Sequence, residues 1–535
     1  MRIEARGLVV AVMVGALLGG CFLSTAANAQ QPASDPEVGD RQILKLRAML
    51  ASRTVSPSPA RVALTSPEDR RQAVDAFWGE GLSTAEKLEL FDRFWQYADG
   101  KFAAFQGIAV DWAALRSRYR SEIEGGVSRG RFAAIMNHLA LALRDSHTKA
   151  LDLPVNVFTV PERGVPLLAV SGWTFDTSGV CETALEDGSA LVYSAVAGHP
   201  LGLEPGDRIL GYDGRPWRAL YQELLSEELP LWPLWWGSSP SSFDHSFVNA
   251  AGMNWHLFAT MDIAKHGSGL VVHVPTSLMP GAIFYGFCSE QMDIAGVPKP
   301  ADFFNDEVVS SGIVAGTRIG YIYVWSWFGT AEEAFAQAAH QLTQVEHVDG
   351  LIIDFRFNNG GFLHAPLRGL AELFDHPAPT MGYDDRKNAA DHLKMKRLFK
   401  PSEFNMDFDS EGSRVKASYD GPIAVLVGPG AGSAGDLSSF WATFLRHVRT
   451  FGKSTATAFT LPTQPLLGTS LDLNPDWETR VGEANAFAVG APHDYLTHRE
   501  FPVDEPVWLQ PDDVAAGKDT VVEAAMRWIR QQIGE

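Results

Sequence analysis

Two glycine-rich turns in this chain carry residue types suited to acyl-transfer chemistry. In the first, residues 428–436, Ser433 follows an apolar run and precedes a predicted helix. A serine at a helix N-terminus lies beside free backbone N–H groups, which stabilise the negative charge formed when a nucleophile attacks a carbonyl. The alternative interpretation is a serine that caps the helix. The second turn, residues 354–362, contains Gly360 and Gly361, whose N–H groups can approach an oxyanion closely. The alternative interpretation of this glycine pair is an ordinary strand-to-helix turn.

A histidine between two hydroxyl residues is the third candidate group. His147 follows Ser146 and precedes Thr148 at the end of a helical run. Such a histidine serves either as a general base, with its tautomer fixed by neighbours, or as a structural residue.

Metal-binding and phosphate-binding patterns are missing from the sequence. It contains neither H-E-x-x-H, nor paired Cys/His spacing, nor G-x-x-x-x-G-K-[ST]. His364, His493 and His498 have acidic residues nearby, but without the spacing of ligands. We therefore predict an enzyme that uses no metal and no cofactor.

Hydrophobic periodicity indicates the elements that must position these groups. Helical spacing runs from residue 66 to about 143, with a helix start at Ser66 and a capping box at Ser83. Short strands follow, including one predicted over 155–160. The tryptophan-rich stretch 217–265 has two interpretations: it either lines a substrate site or packs the core of an insertion. Beyond residue 317, buried strands alternate with helices, which predicts an α/β domain.

The N-terminus has the organisation of an export signal. Arg2 and Arg6 precede an apolar stretch, and the small-x-small pattern ending at Ala29 predicts removal of residues 1–29. The alternative is a lipid anchor at Cys21, because the residues before it resemble a bacterial lipobox. Both routes export the protein, which is then periplasmic or secreted.

Composition limits the partners and the state of the cysteines. The chain has 535 residues and a net charge of −20, so we exclude nucleic acid, whose binders carry a basic patch. No later apolar run is long enough to span a membrane. Thiols oxidise outside the cytoplasm, so Cys181 and Cys288 form either a disulfide or two buried free thiols.

In their order along the chain, first the His147 segment, then residues 354–362 and then residues 428–436, the three segments resemble the catalytic set of the C-terminal-processing (tail-specific) and tricorn-core serine peptidases. Leu203–Leu210 resembles a PDZ turn, and Glu500–Val507 resembles a late family signature. The resemblance implies an α/β catalytic domain with a ClpP/crotonase-like βαβ core, an N-terminal helical domain and a β-rich PDZ-like domain. The implied organisation is a signal peptide 1–29, a linker 30–60, a helical domain 61–153, a PDZ-like domain 154–295 and a catalytic domain 296–535.

The resemblance also implies the roles of individual residues. In the family's Ser–Lys variant the lysine position falls on Ala458, and Lys453 comes too early, so we favour the tricorn-like Ser–His–Ser–Glu variant. The resemblance implies Ser433 as the nucleophile and His147 as the base. It implies Ser146 and Glu500 as the groups that orient the base, with Glu505 as the alternative acid. The implied oxyanion donors are the backbone N–H groups of Ala434 and of Gly360 or Gly361.

We therefore predict an exported serine peptidase that hydrolyses peptides or proteins through an acyl-enzyme. The PDZ-like domain either grips an extended or C-terminal peptide by strand addition or only supports the cleft. The alternative is a non-catalytic protein on the same fold that binds a peptide or hydrophobic ligand, because fold does not imply function. The sequence sets no oligomeric state.

Overall fold

The structure is a computed structural model. It describes residues 66–534, apart from 160, 163, 171–176, 233–234, 284, 286–287, 301–306, 405–418 and 462–475. The predicted signal peptide, Cys21 and the linker 30–60 lie outside the described residues. Within the described ranges, no helix is long and apolar enough to cross a membrane.

Four helices occupy the predicted helical run. They are α1 (Pro67–Trp78), α2 (Thr84–Lys101), α3 (Trp112–Glu124) and α4 (Arg129–Leu141). Ser66 and Ser83 begin the first two, each in a reciprocal capping box with the acidic residue three positions on. Apolar side chains at helical spacing, including Phe91 and Leu139, are buried in one core. This core supports the loop that follows α4 and contains His147.

The chain then turns into a short strand and a short helix. These are β1 (Lys149–Asp152) and α5 (Leu153–Asn156), followed by β2 (Leu168–Ala169). The strand predicted over 155–160 is wrong at its start, because Asp152 accepts a hydrogen bond from the N–H of Val155 and Pro154 lies in the first helical turn.

An antiparallel sheet in the order β3-β4-β5-β8-β9 forms the middle of the chain, with β6 paired to β5. Its region comprises β3 (Val180–Ala184), β4 (Ala190–Ala195), β5 (Arg208–Tyr212), β6 (Arg215–Pro216), α6 (Trp217–Ser226), β7 (Leu231–Trp232), α7 (Pro240–Val248), β8 (Thr260–Ala264) and β9 (Val271–Pro275). Cys181 and Cys288 form a disulfide, which confirms the first of the two alternatives. It ties β3 to the segment that leads into the next sheet.

The tryptophan-rich stretch mainly packs this region. Trp217, Trp236 and Trp255 are fully buried in its core, as the packing interpretation predicts. Trp235 differs, because it packs against the core of the α/β domain.

A six-stranded sheet in the order β10-β11-β12-β17-β18-β22 confirms the predicted α/β class. The elements of this part are β10 (Val309–Ile313), β11 (Ile319–Val324), α8 (Ala331–His340), β12 (Gly350–Asp354), α9 (Ala365–Leu370), β13 (Ala378–Pro379), β14 (Gly382–Arg386), β15 (Met395–Phe399), β16 (Glu403–Phe404), β17 (Ile423–Val427), α10 (Ala434–Ala442), β18 (Val448–Gly452), β19 (Thr460–Leu461), β20 (Trp477–Arg480), β21 (Ala484–Phe487), β22 (Glu505–Pro506), α11 (Pro511–Ala515) and α12 (Thr520–Ile533). From β11 onward the neighbouring strands of this sheet are parallel.

Two long-range strand pairs join the end of the chain to the histidine loop. Strand β1 pairs antiparallel with β20, which sets Lys149 opposite Arg480. Strand β19 pairs with β21 and places Thr460 opposite Asn485. Through these pairs, residues that follow the helix of Ser433 reach the loop of His147.

Candidate active site

Ser433 lies in the tight turn between β17 and α10. Its backbone has φ 57° and ψ −120°, a conformation that residues with a Cβ rarely adopt and that is concentrated at functional sites. The side chain makes no capping hydrogen bond to α10, so the helix-cap interpretation fails. The residue stands instead at the N-terminus of the helix, where backbone N–H groups favour negative charge.

The two glycine-rich turns meet because they follow neighbouring parallel strands, β12 and β17. The N–H of Gly432 donates to the carbonyl of Asn358 at 2.9 Å. A Cβ on Gly435 would lie only 1.9 Å from that carbonyl oxygen, so the approach requires glycine. A Cβ on Gly360 would lie 2.7 Å from Cβ of Ser433. The glycine pair is therefore directly beside the serine.

The backbone N–H groups around Ser433 differ in their availability. That of Gly360 donates to Oδ1 of Asn358 at 3.1 Å. Those of Gly361 and Ala434 donate no hydrogen bond within the described part of the chain. Two donors from adjacent turns can therefore receive an oxyanion formed at Ser433.

A threonine connects His147 to a buried carboxylate. Nδ1 of His147 lies 3.2 Å from Oγ1 of Thr460. The same hydroxyl donates to Oδ1 of Asp145 at 2.8 Å, so its lone pair accepts the Nδ1 proton. Thr148 donates to the other oxygen of Asp145 at 2.6 Å. This arrangement leaves Nε2 of His147 unprotonated, which a general base requires.

His147 lies in a dry and positive environment. Burial, followed by the charges of Arg480 and Lys149, lowers the pKa of His147 to about 3. The imidazole is therefore neutral near pH 7. Burial also raises the pKa of Asp145, although its hydrogen bonds from Thr148 and Thr460 act in the opposite direction.

The segment 456–460 holds the serine turn and the histidine loop together. The N–H groups of Thr457 and Ala458 each donate to the carboxylate of Asp436 on α10 at 2.8 Å. Two residues later, Thr460 hydrogen-bonds to His147. Burial raises the pKa of Asp436 to about 7. No hydrogen bond joins Ser433 directly to His147 among the described residues, and such bonds often tighten only when substrate binds.

The acids expected from the late segment lie elsewhere. Glu500 is exposed and accepts hydrogen bonds from the N–H and Oγ of Ser241 at the start of α7, at 2.9 and 2.5 Å. Glu505 in β22 pairs with Arg449 at 3.3 Å. Neither acid hydrogen-bonds to Ser146 or His147 in the part of the chain that the structure describes. The carboxylate that accepts from Thr460, the hydrogen-bond partner of His147, is that of Asp145.

Ser146 is fully buried, and its Oγ has no hydrogen-bond partner among the described residues. Its backbone N–H donates to Oγ of Ser238 at 3.0 Å. The structure therefore places Ser146 beside His147 in sequence, but the hydroxyl that bonds to His147 is that of Thr460.

The two residues considered for the Ser–Lys alternative, Ala458 and Lys453, make different contacts. Ala458 does lie beside the helix of Ser433, through Asp436. Lys453 points away and donates to the carbonyl of Ala184 in β3 at 2.6 Å.

Sequence reasoning missed three residues of the site. Asp145 lies two residues before His147 but had no assigned role, and Asp436 is the last residue of the serine turn. Thr460 has no local signal, because only the long-range pairing of β19 brings it to His147. In the described ranges, no group of three or more His, Cys, Asp or Glu residues is arranged to hold a metal ion.

Comparisons with known proteins agree with this geometry. Residues 318–474 match the model of peptidase family S41. Mature CPAF has 12% identity and a TM-score of 0.56, over 84% of this chain and 97% of that one. CPAF complexed with lactacystin has 12% identity and a TM-score of 0.54, over 84% of this chain and 98% of that one. No curated protein matches the sequence. The CPAF structures show a shared fold, and the part of this chain that contains both glycine-rich turns is similar to peptidase family S41.

Proposed function

We propose that this peptidase hydrolyses peptide bonds with Ser433 as nucleophile and His147 as general base. The observation that carries the proposal is the segment 456–460, which hydrogen-bonds both to the helix of Ser433 and to His147. This segment supports the proposal because it connects the helix that begins after the nucleophile to the base, which lies on a distant part of the chain.

The chemistry follows from the protonation states. Nε2 of His147 takes the proton of Ser433 as Oγ attacks the peptide carbonyl, and the N–H groups of Ala434 and Gly361 hold the oxyanion. The imidazolium then donates its proton to the leaving amine, and an acyl-enzyme remains. Water, deprotonated by His147, attacks the ester and releases the acid and Ser433.

We assign the orienting role to Thr460 and Asp145 rather than to Ser146 and Glu500. Thr460 relays a hydrogen bond from Nδ1 of His147 to Asp145, so the carboxylate stabilises the imidazolium through a hydroxyl. General-base assistance of this kind contributes about 10²–10⁴-fold to the rate.

The export of the protein is part of the proposal. The N-terminal signal pattern supports it, and so does the disulfide between Cys181 and Cys288, because disulfides persist in oxidising compartments. Cleavage after Ala29 is the route we favour over lipidation of Cys21.

Labelling with a fluorophosphonate serine probe tests the assignment. We expect the mature protein to be labelled and to hydrolyse a fluorogenic peptide library, and both activities to be lost in Ser433→Ala. Ser439→Ala is the matched control, because this buried serine lies on the same helix but bonds to the carbonyl of Gly435. Lactacystin is a second probe, since mature CPAF was solved with it.

One outcome would favour the alternative function. If the folded wild-type protein were neither labelled nor active but bound peptides in a direct binding assay, the chain would be a binding protein on the peptidase fold.

A further inference from the structure

Lys149 is a buried lysine with no polar partner. It begins β1, two residues after His147, and only 9% of it is exposed. Its ammonium makes no hydrogen bond or ion pair with any described residue, and its Nζ lies 4.3 Å from the ring centroid of Trp235. Buried charges are normally paired, so this cation lacks the anion that its position requires.

No acidic residue in the described part of the chain forms an ion pair with Lys149. Arg480 lies opposite it on β20 and adds a second positive charge. Glu478 interacts more closely with Arg480, at 3.7 Å, and its Oε2 has no hydrogen-bond partner in the described part of the chain. Asp145 is engaged by Thr148 and Thr460. His147, as a neutral imidazole, provides no negative charge.

Trp235 connects this cation to the nucleophile turn. A Cβ on Gly432, the residue before Ser433, would lie 3.2 Å from Cζ2 of Trp235. The ammonium of Lys149 and the backbone before Ser433 therefore both approach the same indole ring.

We propose that Lys149 determines substrate specificity by binding a carboxylate of the peptide. The carboxylate belongs either to an Asp or Glu side chain or to the C-terminus of the substrate, and both sources offer the same hydrogen-bonding oxygens to the ammonium. This inference rests on the proposed peptidase function and adds the class of substrate: peptides with a carboxylate near the cleaved bond.

Lys453 provides a contrast within the same protein. It is partly buried and lies near an indole, with Nζ 4.9 Å from the ring centroid of Trp508, but it donates to the carbonyl of Ala184 at 2.6 Å. A structural lysine in this fold thus finds a backbone acceptor. Lys149 does not, which is why we assign it a ligand.

The test compares matched peptides rather than a single substrate. Fluorogenic peptides with Glu or Gln at each position around the cleaved bond, and with a free or amidated C-terminus, are assayed with wild type, Lys149→Met and Lys149→Arg. Lys453→Met is the matched control for removing a lysine that lies near an indole ring, and thermal melting checks the folding of every variant.

We expect Lys149→Met to lower kcat/KM about 10- to 100-fold for the preferred carboxylate peptide and less than about two-fold for its neutral partner. The Glu/Gln pairs report a side-chain carboxylate, and the free/amidated pair reports a C-terminal one. Lys453→Met should leave both ratios unchanged.

The pH dependence gives a second readout. Burial and Arg480 lower the pKa of Lys149 to about 7, while Glu478 and Asp145 oppose the shift. The preference for carboxylate peptides should therefore decline above pH 7 in the wild type, as the ammonium loses its proton, and persist in Lys149→Arg.

Equal losses on carboxylate and neutral peptides in Lys149→Met would overturn the proposal, since they indicate a structural or base role. So would a wild-type enzyme with no preference in any pair. Failure of the peptidase function itself is distinguishable, because it would abolish fluorophosphonate labelling and turnover of every peptide in the wild type.

Discussion

Replacing Thr460 with valine removes one hydroxyl and keeps the shape of the side chain. This hydroxyl accepts from Nδ1 of His147 at 3.2 Å and donates to Asp145 at 2.8 Å. The variant therefore leaves the imidazole without its orienting acceptor and one oxygen of a buried carboxylate without a donor. The histidine becomes free to adopt the wrong tautomer, in which Nε2 carries the proton and cannot act as the base.

The size of the effect follows from the hydrogen bonds lost. A hydrogen bond to a charged group is worth about 1.5–3 kcal/mol, so we expect kcat to fall about 10- to 150-fold. Leaving the oxygen of Asp145 unpaired should lower the free energy of unfolding by about 1–3 kcal/mol. Since Thr148 still donates to Asp145 at 2.6 Å, we expect the lower part of that range.

Steady-state hydrolysis of a fluorogenic peptide, the rate of fluorophosphonate labelling and urea unfolding measure these effects. Thr460→Ser keeps the hydroxyl and should retain most of the activity. Thr450→Val is the matched control, because Thr450 is a buried threonine that donates to Asp504 at 2.9 Å without a histidine nearby. It should lose stability but keep kcat. Wild-type kcat in Thr460→Val would refute the relay through Thr460.

Two further predictions address the acid and the pH dependence. Glu500→Gln should leave kcat/KM within about two-fold of wild type, because Glu500 is exposed and hydrogen-bonds to Ser241, and surface interactions of this kind contribute little. A loss of kcat/KM as large as that caused by His147→Ala would restore Glu500 to the catalytic set. Because the pKa of His147 is lowered to about 3, the base stays unprotonated on acidification. The acid limb of the pH profile of kcat/KM should therefore lie well below pH 6.5. An acid limb at pH 6.5, in a protein that circular dichroism shows to be folded, would contradict the environment described for His147.

Much of the fold was predictable because its signals are local. The strands at 319–324, 350–354 and 423–427 are continuous apolar runs, as expected of a sheet covered on both faces. Capping residues marked the starts of α1 and α2. The helix predicted after Ser433 ends at Ala442, and Val448 already lies in β18, which pairs with β17 in the sheet.

Strong local patterns also predicted the turn that contains Ser433, since tight turns at the ends of buried strands depend on glycine at particular positions. Local sequence, in contrast, misled us at Asp152, where a side-chain cap favoured a helix over the apolar residues of a predicted strand. A single hydrogen bond within one turn decides such cases, and composition does not reveal it.

The sequence by itself determined the chemistry available to this protein: a serine at a helix start, adjacent glycines and a histidine among hydroxyls. Tertiary structure alone decided which threonine links the histidine to a carboxylate. Asp145 and Thr460 are far apart in the chain and meet only because β1 pairs with β20 and β19 pairs with β21. Strand pairing of this kind depends on register between distant segments, so no short motif records it.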